Sequence, residues 1–348
     1  MSTNTTKPMI SGLHDCPMVV SPNAFKFKSL SCWAVNGYLG CCHGCRFCYV
    51  PDTSANKQQD LLRAHGVDDP VADWGDYVLV RPWDERAFMR TLRKAERTPL
   101  SKLNVDGNRA VMFSSTTDAY QAIKNPNVGK QSLLNSLARS NMRRALERIR
   151  DHSTLNIRIL TRSPLARLDF DIFKSLGNRL LLGVSLPTLD DGLSRLYEPN
   201  APGPKQRLKL LQDAHAEGIP TFVAVAPVFP ECGYQGMLDV FNAVKEVDPV
   251  TLFMEPVNIR LGIAERIREK ALSIGRDIDM TPYGGGDAWV NYAIRTLLDA
   301  ERAADAAGVR DRLHLWPDHD ADMAEDMSSG YSGFVLSFLM GGNWETTE

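Results

Sequence analysis

Six short runs of this chain are apolar on both faces, and amphipathic stretches separate them. The runs are SLSCWAV (29–35), RAVMFSST (109–116), LNIRILTR (155–162), RLLLGVSL (179–186), TFVAVAPVF (221–229) and TLFMEPVNI (251–259). A strand that is apolar throughout must be covered on both faces, whereas an alternating one can leave a face in water. Helical segments fall between the runs at 131–150, 205–217 and 236–247. In the first of them Leu133, Leu134, Leu137, Met142, Leu146 and Ile149 recur at near-helical spacing, as on a helix packed against a sheet. Gly218 and Pro220 mark a helix end and the next strand start. Strands and helices in alternation specify a parallel sheet covered by helices. About six such units predict an α/β fold, a partial (β/α)6 TIM-like barrel.

A further strand-like piece, YVLVRP (77–82), lies in a longer insertion between the first two units. Past residue 280 come a helix over 287–307, the run RLHLWPD and an apolar tail, SGFVLSFLM (332–340). With no internal repeat or linker, the expected organisation is an N-terminal arm (1–28), a barrel (29–275) and a C-terminal extension packed on it (276–348).

The net charge of -2 gives no global basic field to attract nucleic acid. The stretch 139–167 is nevertheless arginine-rich, so a local basic face is one reading and a solvated helix face the other, while DHDADMAED (318–326) is acidic. The polar N-terminus lacks a secretory pattern, and no apolar run approaches the ~20 residues needed to cross a bilayer. No membrane association and a cytoplasmic location are therefore expected. In such a compartment clustered cysteines more often bind metal than form disulfides, and an odd total of seven fits that reading.

Four of those cysteines and a histidine fall within GCCHGCRFCY (40–49), in the loop after the first predicted strand. Cys41, Cys45 and Cys48 are spaced C-x3-C-x2-C. Three thiolates can hold three irons of a [4Fe–4S] cluster and leave the fourth iron open, whereas an electron-transfer cluster usually has four Cys ligands. A closed zinc site completed by His43, Cys42 or Cys32 is the alternative, although zinc ligands usually come as two separated pairs and no second pair follows.

The cysteine stretch resembles the signature of radical S-adenosylmethionine (SAM) enzymes, C-x3-C-x-aromatic-C in the loop after the first strand of a partial barrel. GCCHGCRFCY is similar to that of the spore photoproduct lyase-like branch. SSTTDAYQ (114–121), LTRSPLARLD (160–169), SLPTLDDGLSRLYEPNAPGPKQRL (185–208), VAPVFP (225–230) and MEPVNIR (254–260) resemble its later landmarks in the same order. The resemblance implies that Cys41, Cys45 and Cys48 ligate the cluster and that SAM takes the open iron. It implies Phe47 near the adenine, the backbone around Tyr49 on its edge, and Arg162 against the SAM carboxylate. Ser114 and Ser115, at the end of the second strand, would meet the methionyl amine, with capping or a turn as their other reading. Ser185 would contact ribose or carboxylate, or be a buried serine bonded to backbone.

Glu255 and Asn258, at the end of the last strand, could line the substrate side, and the 197–200 element would brace the barrel. Cys232 lies at the expected rim, where a thiol could return a hydrogen atom to a product radical with Tyr234 or Tyr120 as relay; an inert buried cysteine is the alternative. The glycines of PYGGGDAW (282–289) lack the Lys-Ser/Thr of a phosphate loop and read as a turn capped by Asp287. Spore photoproduct lyases carry a hydrogen-donating cysteine near the end of the second strand, but here MFSSTTD has none. The implied activity is reductive cleavage of SAM to a 5'-deoxyadenosyl radical that abstracts hydrogen from a small molecule, nucleoside or peptide, fed by a flavodoxin- or ferredoxin-type donor. A nucleic-acid lesion or base-modifying lyase and a non-catalytic zinc protein are the other readings.

Overall fold

The structure, a computed structural model, describes residues 9–23, 31–103, 109–259 and 262–315. The acidic 318–326 segment, the apolar tail at 332–340 and Arg260 lie outside the described residues.

Each of the six apolar runs contains a strand: β1 (Trp33–Val35), β2 (Ala110–Phe113), β3 (Asn156–Thr161), β4 (Leu180–Ser185), β5 (Thr221–Val228) and β6 (Thr251–Pro256). They pair in parallel in chain order, and a further parallel strand, β7 (Leu313–Leu315), joins the edge beside β6. Val20–Pro22 closes the other edge, antiparallel to β1. The result is an eight-stranded sheet. Its register aligns the strand ends: Val35 sits opposite Phe113, Phe113 opposite Ile159, Thr161 opposite Val184 and Ser185 opposite Ala224. One edge of the sheet thus collects the residues that follow β1 to β5, the edge where barrel active sites lie.

Covering the sheet are α1 (Glu85–Glu96), α2 (Val128–His152), α3 (Phe170–Leu176), α4 (Asp191–Tyr197), α5 (Pro204–Ala216), α6 (Gly233–Val244), α7 (Ile263–Ser273) and α8 (Gly286–Ala307). In α2, Leu134, Met142, Leu146 and Ile149 are buried as the spacing predicts, but Leu133 is exposed. It stands about 100° of helix rotation from Leu134, beyond the covered stripe. Asn127 caps this helix, its side chain accepting from the Lys130 amide at 2.9 Å, and the cap starts α2 three residues earlier than the apolar spacing alone indicates.

Tyr77–Val80, the predicted insertion strand, pairs in parallel with Ile10–Leu13 and antiparallel with Tyr38–Leu39. This small sheet stands over the loop that follows β1, and behind it pack Leu39, Val50, Leu62, Val67, Trp74 and Tyr77. No helix among the described residues is long and apolar enough to cross a membrane.

Candidate functional site

The cysteine loop leaves β1 through Tyr38–Leu39 and turns at Gly40, whose φ is +91°. A Cβ there would lie 2.3 Å from the Tyr77 carbonyl oxygen, so only glycine fits beneath the small sheet. Three segments then hold the loop by its backbone. From the stretch after β2, Gln121 accepts from the Cys42 amide at 2.7 Å and Thr117 donates to the Gly40 carbonyl at 2.9 Å. From the 197–200 element, the Tyr197 carbonyl accepts from the Arg46 amide, and the Asn200 amide donates to the His43 carbonyl. From α7, Arg266 donates to the carbonyls of Arg46 and Cys48 and pairs with Asp52. A loop tied at so many backbone groups presents its side chains in a fixed arrangement.

Cys41 and Cys45 are buried, Cys48 is half-buried, and all three thiols are free. Burial, first of all, pushes each of them up to about 12, and each is raised further by one of the other two, which places the trio within electrostatic reach of itself. Cys42 instead points into a separate apolar cluster with Tyr38, Val78, Val80 and Ile123. Cys16 is exposed and Cys32 packs in the barrel core. Among the described residues no three His, Cys, Asp or Glu side chains converge as a single metal ion requires. Tetrahedral zinc, with bonds of about 2.3 Å, draws its sulfurs to roughly 3.8 Å of one another. Three thiol donors, with Cys42 turned away, are the set that would leave one iron of a [4Fe–4S] cluster open.

Beside the thiols the sheet edge carries an unusual charge arrangement. Arg162, just past β3, donates from Nε to Glu198 at 2.5 Å, and Glu198 also pairs at 2.6 Å with the fully buried Arg207. Burial opposes ionisation of Glu198, yet Arg207 and Arg162 together hold its carboxyl below the ordinary range. Two guanidiniums share one carboxylate, and the buried Asp118 carboxylate also acts on Arg162, so the triad's excess positive charge is partly balanced from within the protein. Cys45 lies close enough for Arg162 to lower its pKa against the effect of burial. The Arg162 guanidinium also stands 5.6 Å from the Phe47 ring centroid. Phe47 packs 5.8 Å from Phe229, on which Tyr197 stacks at 3.8 Å. Glu198 and Arg207 both lie in the 185–208 landmark, but nothing in their spacing ties them to Arg162.

Asp118 is a second buried hub. It accepts from Thr161 Oγ1 and the Arg162 amide at 2.7 Å and from the Tyr120 amide at 2.8 Å. His43 Nδ1 stands 3.6 Å away, too far for a hydrogen bond, and burial holds this imidazole below its usual pKa despite the carboxylate.

Ser114, the first residue after β2, has φ +66° and is 5% exposed, and its hydroxyl has no partner among the described residues. A non-glycine residue in this region is strained, and a buried orphan hydroxyl costs more, so the position is set by its surroundings. Ser115 accepts from Asn36 Nδ2 at 3.2 Å. Ser185 is buried, its hydroxyl 3.5 Å from the Ala226 carbonyl. Tyr49 is 41% exposed, and its carbonyl accepts from Thr53 at 3.0 Å. Glu255 lies at the end of β6, where the register to β5 shifts between Met254 and Pro256. Asp287 falls in the first turn of α8, whose cap is Gly285.

Cys232 caps α6 at the rim, 7% exposed, with its sulfur 3.8 Å from the Pro187 carbonyl and its thiol pushed up to about 11 by burial. The two tyrosines proposed beside it point elsewhere. Tyr120 donates to Asp169 at 3.0 Å, and Tyr234 packs against the Arg302 guanidinium at 5.1 Å. The tyrosines within electrostatic reach of Cys232 are Tyr283 and Tyr292. Tyr283 meets the Tyr197 hydroxyl at 2.5 Å, and Tyr197 donates to Glu231 at 2.9 Å. Spacing along the chain carried no sign of these pairings, because α8 delivers Tyr292 and the turn before it delivers Tyr283.

No protein-family model matches this sequence. Among curated proteins it is 32% identical over 198 residues to the uncharacterized protein ORF301 of Acidianus two-tailed virus, covering 57% of this chain and 56% of that protein. It is 22% identical over 221 residues to an uncharacterized protein of Methanocaldococcus jannaschii (64% of this chain, 68% of the relative). An uncharacterized protein of Mycobacterium tuberculosis is 27% identical over 201 residues, 57% of this chain and 50% of the relative. The matches thus span about half of the viral and mycobacterial proteins. Among solved structures, spore photoproduct lyase complexed with dinucleoside spore photoproduct aligns over 88% of this chain and 82% of its own at a TM-score of 0.58 and 13% identity. A mutant of that lyase with bound AdoMet and the dinucleoside aligns over 88% and 80% at 0.57 and 13% identity. The chain has the fold of the spore photoproduct lyase-like branch, the radical SAM branch its motifs resemble.

Proposed function

We propose that this chain is a radical SAM enzyme in which Cys41, Cys45 and Cys48 hold a [4Fe–4S] cluster and leave one iron open to SAM. The observation that carries the reading is the apposition of three free, mutually close thiols, two buried and one half-buried, to the buried triad in which Arg162 and Arg207 share the single carboxylate of Glu198. A buried excess cation is costly alone and is relieved by an anion placed against it. Cluster thiolates and an amino-acid carboxylate both supply one. When bound, the cluster provides the electron that cleaves SAM to methionine and a 5'-deoxyadenosyl radical.

The protein's own residues do the positioning. Arg162 is fixed through Nε by Glu198, which leaves its terminal nitrogens to take a carboxylate in two parallel bonds. Ser114 offers its unpartnered hydroxyl to the amine. Phe47 walls the adenine side, the backbone at Tyr49 borders it, and Ser115 and Ser185 line the sheet edge between. Glu255 and the rim thiol Cys232 face the substrate side. The hydrogen abstracted from the substrate leaves in 5'-deoxyadenosine, and the Cys232 thiol gives a hydrogen atom to the product radical, itself becoming a thiyl radical that the external donor reduces with uptake of a proton. An external low-potential flavodoxin- or ferredoxin-type protein supplies the electron. The substrate class is a small molecule, nucleoside or peptide. A lesion-repair lyase fits less well, because β2 runs into Ser114 and Ser115 where that activity has a donor cysteine.

The test is anaerobic reconstitution followed by dithionite and SAM. Iron and sulfide near four per chain and slow formation of 5'-deoxyadenosine are expected, with both lost in Cys45→Ala. A fully loaded cluster that yields no 5'-deoxyadenosine overturns the catalytic reading, and zinc without sulfide overturns the cluster.

A further inference from the structure

The arginine-rich stretch at 139–167 is largely neutralised in the fold. Arg143 pairs with Asp169, Asp171 and Glu147, Arg148 with Glu85, Arg150 with Asp151, Arg162 with Glu198 and Arg167 with Asp213. The free basic face lies on α1 instead. Arg86, Arg90, Arg93 and Arg97 are all exposed, and none is in an ion pair with a described residue. At 100° per residue their positions fall within about 60° of one another, on the side opposite the buried Phe88, Leu92 and Ala95. Eleven residues of helix spread them over about 16 Å. Lys94 flanks the row, and Arg90, Arg93, Lys94, Arg97 and Lys102 line one open surface depression.

Nothing local to the helix accounts for the whole of this row. Its acids are engaged elsewhere: the exposed Glu85 takes Arg148 and the Trp83 indole, and the partly buried Glu96 takes Arg109, Ser153 and Thr154. Basic residues in a last turn complement the helix dipole, but Arg86 sits in the first turn, where a cation is unfavourable. The row therefore carries like charges at i, i+4, i+7 and i+11 with no counter-charge among the described residues, an arrangement that destabilises an isolated helix. A linear array of guanidiniums suits a linear array of phosphates, each bound through two parallel bonds. A membrane surface is a poorer match, since the apolar face of α1 is buried in the core.

We propose that this stripe is a docking surface for the phosphate backbone of a nucleic acid. It is separate from the cysteine loop: α1 packs on the Val20–Pro22 edge of the sheet and runs away from the strand ends that carry the site. It thus holds a partner by its backbone and reads no base. At about 3.4 Å per phosphate along each strand, 16 Å of stripe spans four to five phosphates.

The test is fluorescence anisotropy of the full chain with labelled 20-mers, duplex and single-stranded, between 50 and 200 mM salt, without SAM or reductant. Four neutralised phosphates give a duplex salt slope of about -3.6, or roughly a 150-fold loss of affinity over that range. The R90Q/R93Q/R97Q variant should fold normally, checked by its thermal midpoint, and should lose about 2.7 of that slope. R139Q/R144Q, which removes two exposed arginines of α2, should leave the slope within one unit of wild type. The proposal is overturned by an unchanged slope in the triple variant, by no binding at 50 mM salt, by an equal loss in R139Q/R144Q, or by equally tight binding to polyglutamate or phosphatidylserine vesicles. None of these outcomes depends on the cluster, so they are distinct from failure of the radical SAM reading.

Discussion

Replacing Glu198 with glutamine tests the charge arrangement beside the cysteine loop. Glu198 is 1% exposed, accepts from Arg162 through one oxygen and forms an ion pair with Arg207 through the other. In the E198Q variant one oxygen remains for one arginine, and an NH2 group is turned against the other. The triad loses its one anion, and the Asp118 carboxylate is left as the anion acting on Arg162. Removing one partner of a buried pair costs about 3–5 kcal/mol, because the remaining charge is left uncompensated. At an unfolding entropy of about 2.1 cal/mol/K per residue, a 348-residue chain shifts by about 1.4 °C per kcal/mol, so the apo protein should melt roughly 4–7 °C below wild type. Restoring anions to the site should recover part of that loss, so the deficit should be smaller after cluster reconstitution. The sign with pH follows from the depressed carboxyl of Glu198. Its stabilisation is complete above the unfolded carboxyl pKa of about 4.3 and is lost as pH falls through the lower folded value. Wild type and E198Q should therefore converge in stability on acidification below about pH 4 and differ fully at pH 7. Circular dichroism melts across that range, with an R162Q/E198Q double mutant to measure the coupling, make the comparison. A pH 7 deficit under about 1 kcal/mol, or purely additive single effects, would refute the buried-triad argument.

Three further outcomes follow from the loop and the sheet edge. Ser114→Gly removes a strained backbone and an orphan hydroxyl, so the apo protein should gain about 1 kcal/mol while SAM binding weakens roughly fivefold by equilibrium dialysis. Gly40→Ala drives a Cβ to 2.3 Å from the Tyr77 carbonyl, and the loss of at least about 3 kcal/mol should appear in urea melts together with poor iron retention. Asp118→Asn turns a donor toward Thr161, the Arg162 amide or the Tyr120 amide, and a loss of about 2–4 kcal/mol in the same assay is expected.

The strands and the cysteine loop could be read from the chain because their signals are local. Six apolar runs became six parallel strands in order, and the C-x3-C-x2-C loop after β1 emerged as a held loop with three free thiols, two of them buried. Leu133 shows the limit even for a local signal: apolar spacing drew it into the helix face, and one residue of phase left it in water. β7 was harder to see, since three residues at the sheet edge bury one face weakly and carry little pattern of their own.

Charge was the least legible property, because whether an arginine is free is decided by where acids distant in sequence arrive. Arg162 and Glu198 are 36 residues apart, Arg167 and Asp213 are 46 apart, and Arg148 and Glu85 are 63 apart. By density alone the basic face belonged at 139–167, yet the fold brings acids to most of those arginines. On α1 the only two acids, Glu85 and Glu96, are paired with Arg148 and Arg109 from other elements. The same pairing of Arg148 with Glu85 therefore does two things at once. It removes a cation from the stretch that looks basic in sequence, and it strips a counter-charge from the helix that proves basic in space. A chain of net charge -2 can thus present a concentrated cationic row without any sign of it in its totals.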